Sequence, residues 1–240
     1  MRGERAGRTI GGIGVGCGLV ALALTVCVAL RVRSVLDGDE SLARALHGHA
    51  LAHPGWVTVN RLLSDWLWDP WTFRLLMAAV VVWLWTRGRR RPAAWCAGAT
   101  VVAAGVGQGM KAAVDRDRPQ WTHPVDSAHF AAFPSGHAMT ATVVCGLLLW
   151  ALPEVGRRAP WWAWTAAVVS VVGVGLTRLY LGVHWGTDVL AGWTLGVALV
   201  AAVALLGPEA PAPRAAGLAR VRGGAARDAA DAGARAARHR

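Results

Sequence analysis

Charged side chains make up only 16% of the sequence, against roughly 25% in ordinary soluble domains. Apolar residues reach 55% of the 240 positions and fall in long blocks. That shortage of charge argues against a water-soluble domain and makes a membrane protein the first expectation. Cysteine is scarce as well. Cys17, Cys27, Cys96 and Cys145 each lie inside an apolar block, none with zinc-site spacing and none in a loop that a disulfide would tie. They read as small hydrophobic residues and leave the redox compartment open. Also missing is any basic stretch interleaved with aromatics, as a base-stacking surface requires. The net charge of +11 sits in short arginine runs between apolar blocks and in the tail. It is membrane-flanking charge, and no nucleic-acid partner is expected. No internal repeat is detectable.

What is present is a series of six apolar blocks: Ile10 to Leu30, Pro70 to Thr86, Ala93 to Val114, His137 to Leu152, Trp161 to Thr177 and His184 to Leu206. A membrane span takes about 20 apolar residues. The expected fold is therefore all-α, a six-transmembrane-helix bundle. The first block follows Arg2, Arg5 and Arg8, and its length favours an uncleaved anchor over a signal peptide. Tryptophans near block ends (Trp66, Trp68, Trp71, Trp83, Trp85, Trp161, Trp162, Trp185) suit the headgroup region, whereas Trp193 inside the last block is expected to pack. Within the mixed loop from Asp37 to Asp69, Ser41 to Leu46 and Val57 to Trp68 are expected as short amphipathic helices on the membrane surface. Residues 1–207 form the membrane-embedded domain. Residues 208–240, rich in Ala, Arg, Gly and Pro, form a disordered basic tail.

The arginine distribution orients the chain. With the N-terminus in the cytoplasm, Arg2, Arg5 and Arg8, then Arg87 to Arg91, then Arg157 and Arg158, and finally the tail all lie inside, which is the positive-inside pattern. Both termini are then cytoplasmic. The loop from Lys111 to Ser135 and the link from Arg178 to Val183 share the outer side of a multi-pass plasma-membrane protein.

Three polar clusters interrupt the apolar pattern there: Lys111 through Arg118-Pro119, Pro134-Ser135-Gly136-His137, and Thr177-Arg178 through His184 to Asp188. Charges at membrane helix ends are functional candidates by default. Lys111, Arg118 and Arg178 supply three positive charges and many donors, as a phosphate dianion requires. Ser135 and Gly136 open the fourth helix, whose N–H groups and dipole form an anion site; the Ser135 hydroxyl is either an N-cap or a phosphate donor. Phosphoryl transfer needs a nucleophile and an acid for the departing oxygen. His184 and Asp188 stand at i, i+4, so the carboxylate is expected to share a helix face with the imidazole and orient it for attack, with His137 as the acid. The same pair could be half of a metal site, but no further ligand lies at suitable spacing beside it. His47, His49 and His53 are either metal ligands or, as expected here, part of a solvated interfacial loop. Asp115 and Asp117 are expected to balance local arginines.

These motifs resemble the type 2 phosphatidic acid phosphatase superfamily, whose pattern is K-x6-R-P, P-S-G-H and S-R-x5-H-x3-D. Lys111 to Pro119, Pro134 to His137, and Arg178 through His184 to Asp188 match in order and spacing. The departure is Thr177, where the family usually has serine. The resemblance implies that His184 becomes phosphorylated, that Asp188 orients it and that His137 protonates the leaving group. It further implies that Lys111, Arg118, Ser135, Gly136 and Arg178 hold the phosphate, without a metal or other cofactor. The implied activity is hydrolysis of a lipid phosphate or pyrophosphate in the bilayer: undecaprenyl pyrophosphate, phosphatidic acid or phosphatidylglycerol phosphate. Alternatives are a lipid-linked phosphotransferase and a catalytically silent lipid-binding protein; a vanadate haloperoxidase is disfavoured because those relatives are soluble.

Overall fold

The computed structural model describes residues 2–154 and 156–207. The tail from residue 208, with its expected disorder, lies outside the described residues. Among these residues the chain forms eight α-helices, one π-helical turn and no strand. The helices are α1 (Arg2–Ala29), α2 (Arg33–Ala52), α3 (Pro54–Leu62), α4 (Pro70–Thr86), α5 (Arg90–Val114), α6 (Gly136–Glu154), α7 (Trp161–Tyr180) and α8 (Gly186–Leu206); the π-helical turn, Leu63–Leu67, extends α3.

The six apolar blocks correspond to α1 and α4 through α8. Five stretches are long and apolar enough to cross a membrane: Glu4–Ala29, Pro54–Thr86, Gly136–Pro153, Trp161–Tyr180 and Gly186–Leu206. The 25-residue α5 falls outside that set; it is rich in Ala and Gly and poorer in large aliphatic side chains. The helices expected between Asp37 and Asp69 exist but are longer than their sequence signal. In α2 the buried positions Asp39, Ala43, His47 and Ala50 recur at intervals of four, four and three, the single buried stripe of a surface helix. Local chemistry sets other boundaries. Asp69 caps α4, accepting hydrogen bonds from the N–H groups of Trp71 (2.6 Å) and Thr72 (3.3 Å) ahead of Pro70 in the first turn.

α6 lies at the centre, against α4, α5, α7 and α8. Phe73 and Met77 of α4, Cys96 of α5, and Val143, Val144 and Leu147 of α6 belong to its buried core. Lipid tails are as apolar as leucine, so helices in a membrane associate through close packing and small residues. The α6–α8 contact shows this. A Cβ on Gly192 would stand 2.7 Å from the Ser135 carbonyl oxygen, and one on Gly196 would stand 2.6 Å from the Thr142 Cβ. α1 runs antiparallel to α8, with Gly14 against Ala201 near one end and Val28 near Ala191 at the other. The result is that the C-terminal ends of α5 and α7 and the N-terminal ends of α6 and α8 gather at one end of the bundle.

Trp66, Trp71 and Trp161 are 76%, 67% and 79% exposed, as interface anchors would be. Trp68 differs: its ring fills the space beside Gly173, where a Cβ would clash at 2.2 Å. Trp193 packs inward as expected and donates to the Val171 carbonyl at 3.0 Å.

Candidate active site

The turn between α7 and α8 carries His184, 2% exposed, and the first turn of α8 carries Asp188, fully buried. His184 Nδ1 lies 3.2 Å from Asp188 Oδ2. The i, i+4 spacing does not, however, place both on one helix, because α8 begins at Gly186. What joins them is helix-start geometry. Asp188 reaches back to accept the N–H of Trp185 at 2.8 Å, satisfying a donor at the helix start, and the same oxygen meets the histidine as the chain enters the helix. Asp188 Oδ1 accepts from Arg116 Nη1 at 2.7 Å. With donors on both oxygens, the carboxylate fixes the proton on His184 Nδ1 and leaves Nε2 with its lone pair.

Against that lone pair lies Arg118. Its Nη1 stands 3.2 Å from His184 Nε2 and donates to the Val183 carbonyl at 2.6 Å, while its Nε donates to the Phe130 carbonyl at 2.8 Å. Burial holds the His184 imidazole well below its ordinary value of 6.5, and the positive charges of Arg118, Arg178 and Lys111 push it further down. His184 is neutral at neutral pH. Burial also lowers Arg118 from its usual range, opposed by Asp188 and Asp126.

The other expected residues converge on the same end. Lys111, in the last turn of α5, donates from Nζ to the Ala131 carbonyl at 2.5 Å, and a Cβ on Gly136 would lie 4.0 Å from its Cε. Arg178, 5% exposed, donates from Nη1 to Ser64 Oγ at 2.8 Å and lies 3.8 Å from Asp126 Oδ2; its buried Nε has no partner. Ser135 is fully buried: its N–H donates to the Asp188 carbonyl at 2.9 Å and its Oγ faces the Ala138 N–H at 3.5 Å, the N-cap alternative. His137, in the first turn of α6, lies within electrostatic reach of His184, Arg178, Arg118 and Lys111. All eight residues singled out from the sequence therefore meet around one locus. The Thr177 hydroxyl donates to the Val174 carbonyl at 2.8 Å, within its own helix.

Several neighbours were not legible in the sequence. Asp115 and Asp117 are exposed, and the carboxylates that engage Arg116 are Asp39 and Asp188. Asp39 comes from α2 and Ser64 from the π-helical turn, segments without a motif. The extra arginine in Asp-Arg-Asp-Arg was the one available signal. His47 is buried rather than solvated, its ring stacked on Trp121 with centroids 4.0 Å apart. His49 stacks on His53 and meets the Tyr180 hydroxyl at 3.1 Å.

A bundle of apolar helices that buries an oriented imidazole among fixed cations defines a class: a multi-pass membrane protein with a site for anion chemistry. The chain belongs to the PAP2 superfamily, whose family profile matches residues 92–211. It is 31% identical over 178 residues to the decaprenylphosphoryl-5-phosphoribose phosphatase of Mycobacterium tuberculosis, covering 71% of this chain and 91% of that one. It is 38% identical over 94 residues to phosphatidylglycerophosphatase B of Bacillus subtilis, 38% of this chain and 45% of the relative. A 65-residue match at 38% identity to the undecaprenyl-diphosphatase of Sulfolobus acidocaldarius covers 27% of this chain and 28% of that one. The chain thus spans less than half the length of these last two relatives. The fold is similar to the crystal structure of a transmembrane PAP2-type phosphatidylglycerolphosphate phosphatase from Bacillus subtilis, with a TM-score of 0.68 and 24% identity over 79% of this chain and 93% of that one.

Proposed function

We propose that this protein is a membrane lipid phosphatase in which His184 attacks phosphorus and His137 serves the leaving oxygen. The observation that carries the reading is the geometry of His184, held by Asp188 through Nδ1 with Nε2 facing Arg118. The unpartnered Arg178 Nε beside it is a buried donor of the kind that a phosphate oxygen would satisfy. Lys111 and Arg118, resting on carbonyls, exchange those weaker acceptors for phosphate oxygens. The Ser135 amide is engaged by Asp188, so the helix-start donors left for the anion are those of Gly136 and His137.

The reaction has two steps. His184 Nε2 forms a bond to phosphorus as the ester or anhydride P–O bond breaks, and His137, protonated once the bound phosphate anion offsets the surrounding cations, gives that proton to the departing oxygen. The phosphorylated ring, still protonated at Nδ1, is stabilised by Asp188. Water then attacks phosphorus, His137 takes its proton, and the P–N bond breaks to release inorganic phosphate and neutral His184. Catalysis rests on positioning and charge stabilisation of the equatorial oxygens. The named relatives all act on phosphates of lipids or lipid-linked sugars, so the substrate class is a lipid phosphate or pyrophosphate: undecaprenyl pyrophosphate, phosphatidic acid or phosphatidylglycerol phosphate.

In the bilayer, α5 is the sixth span: its 25 residues reach about 37 Å and it packs between α4 and α6. Residues 1–207 form one membrane domain and 208–240 a cytoplasmic tail. The arginine distribution supports an orientation with both termini inside and the site on the outer face of the plasma membrane. The test is phosphate release from a lipid panel by detergent-purified protein in chelator. Wild-type turnover of at least one lipid phosphate, abolished in His184→Ala, is expected. Equal release by the variant would reject the histidine mechanism.

A further inference from the structure

Arg116 has no place in the phosphate cradle, because its donors already point at carboxylates. Nη1 donates to Asp188 Oδ1 at 2.7 Å and to Thr187 Oγ1 at 2.6 Å, and Nη2 donates to Asp39 Oδ2 at 2.7 Å. Its guanidinium carbon lies 5.3 Å from the Trp185 ring centroid. Asp39 is equally engaged. Its Oδ1 accepts the Thr187 N–H at 2.9 Å and its Oδ2 the Thr187 hydroxyl at 2.5 Å. Asp39 thus caps the start of α8 from another helix, a task that Trp185, at the N-cap position, has no side-chain oxygen to perform. α2 can come this close because residue 186 is glycine; a Cβ there would stand 3.0 Å from Asp39 Oδ1 and 3.2 Å from Leu42 Cδ2.

Resting on the phosphatase reading, we propose that Arg116 and Asp39 are positioning residues for the reaction: they clamp the Asp188 carboxylate from behind and thereby set the orientation and charge of His184. The geometry is a chain of alternating charges, Asp39 to Arg116 to Asp188, ending on the imidazole. Asp188 divides its oxygens, Oδ1 to Arg116 and Oδ2 to His184 and Trp185 N–H. Rotation of the carboxylate would break both sides at once. A fully buried carboxylate also needs a counter-charge other than a neutral histidine, and Arg116 provides it. A mere strut between α2 and α8 would fix the helices without tuning His184.

The experiment separates these roles through the pH profile. His184 is faced by Asp188 of α8, Arg118 of the preceding loop, Arg178 of α7, Lys111 of α5 and His137 of α6. Arg116→Gln removes the charge behind Asp188, so the uncompensated carboxylate draws a proton onto His184. We expect kcat to fall by at least about tenfold with KM within about threefold of wild type, and the acid limb of the profile to move to higher pH. Arg116→Lys keeps the charge and is expected to keep the limb in place with a partial loss of kcat. Asp39→Asn is expected to lower kcat without raising the limb. A loss of kcat with an unmoved limb in Arg116→Gln, or kcat within about twofold of wild type, would overturn the proposal. If Arg116→Gln is not recovered folded, the other two variants decide, and unchanged kcat in both overturns it. Wild-type protein that releases no phosphate would instead sink the phosphatase reading itself.

Discussion

Replacing Asp188 by asparagine changes one atom and removes one charge, and the structure says what must follow. Asp188 Oδ2 accepts from Trp185 N–H at 2.8 Å and faces His184 Nδ1 at 3.2 Å, while Oδ1 accepts from Arg116 at 2.7 Å. An amide has one oxygen and one NH2 group. With the oxygen toward His184, the NH2 group points at the Arg116 guanidinium, donor against donor. With the amide flipped, the NH2 group faces both the Trp185 N–H and His184 Nδ1. The ring then shifts its proton to Nε2 and loses its nucleophilic lone pair. Breaking a buried charge pair by removing one partner costs about 3–5 kcal/mol. If that cost falls on the reacting arrangement, at about 1.4 kcal/mol per decade, kcat drops by roughly 10² to 10⁴. KM should change little, because both Asp188 oxygens are taken by Arg116, His184 and the Trp185 N–H rather than facing the proposed anion site. The assay is phosphate release from a lipid phosphate in detergent, alongside a melting curve to confirm folded protein. Folded Asp188→Asn within about fivefold of wild-type kcat would refute the reasoning.

The remaining expectations are shorter. His184 stays neutral until pH falls well below 6.5, so the acid limb of kcat/KM, corrected for ionisation of the lipid phosphate, lies well below that value; a limb at or above it contradicts the burial argument. Lys111→Ala, Arg118→Ala and Arg178→Ala each lower kcat/KM by at least about tenfold, and near-normal turnover in all three would remove the phosphate cradle. Gly192→Ala places a methyl 2.7 Å from the Ser135 carbonyl oxygen; it should destabilise the α6–α8 contact by about 1–3 kcal/mol, read as a lower melting temperature, and an unshifted melt shows that the helices can separate freely. In cells, Ser127→Cys should react with a membrane-impermeant maleimide and Arg157→Cys should not, with the reverse pattern inverting the topology.

Much of the bundle was written in hydrophobic blocks. Helix existence depends on local pattern, so Pro70 to Thr86 matched α4 to the residue and four other blocks matched within about three residues, whereas α1 begins at Arg2, eight residues before the block at Ile10. The three motifs were legible for a related reason. In a chain with so little charge, a cluster of cations at helix ends stands out, and Lys111 is the only lysine of the 240 residues. The sequence misled where spacing was read as helix geometry: His184 and Asp188 meet because a chain turn enters α8 at Gly186, not because both occupy one helical face.

What the one-dimensional pattern determined, then, is where helices form and which polar residues cannot be passive in a membrane. Which partners those residues take was decided by the tertiary structure alone. Asp39 and Arg116 lie 77 positions apart and Ser64 and Arg178 lie 114 apart, separations at which no local periodicity operates. Glycines 192 and 196 let α6 close on α8, and glycine 186 lets Asp39 of α2 reach the start of α8; only at that approach do a carboxylate from one segment and a guanidinium from another become a single electrostatic unit.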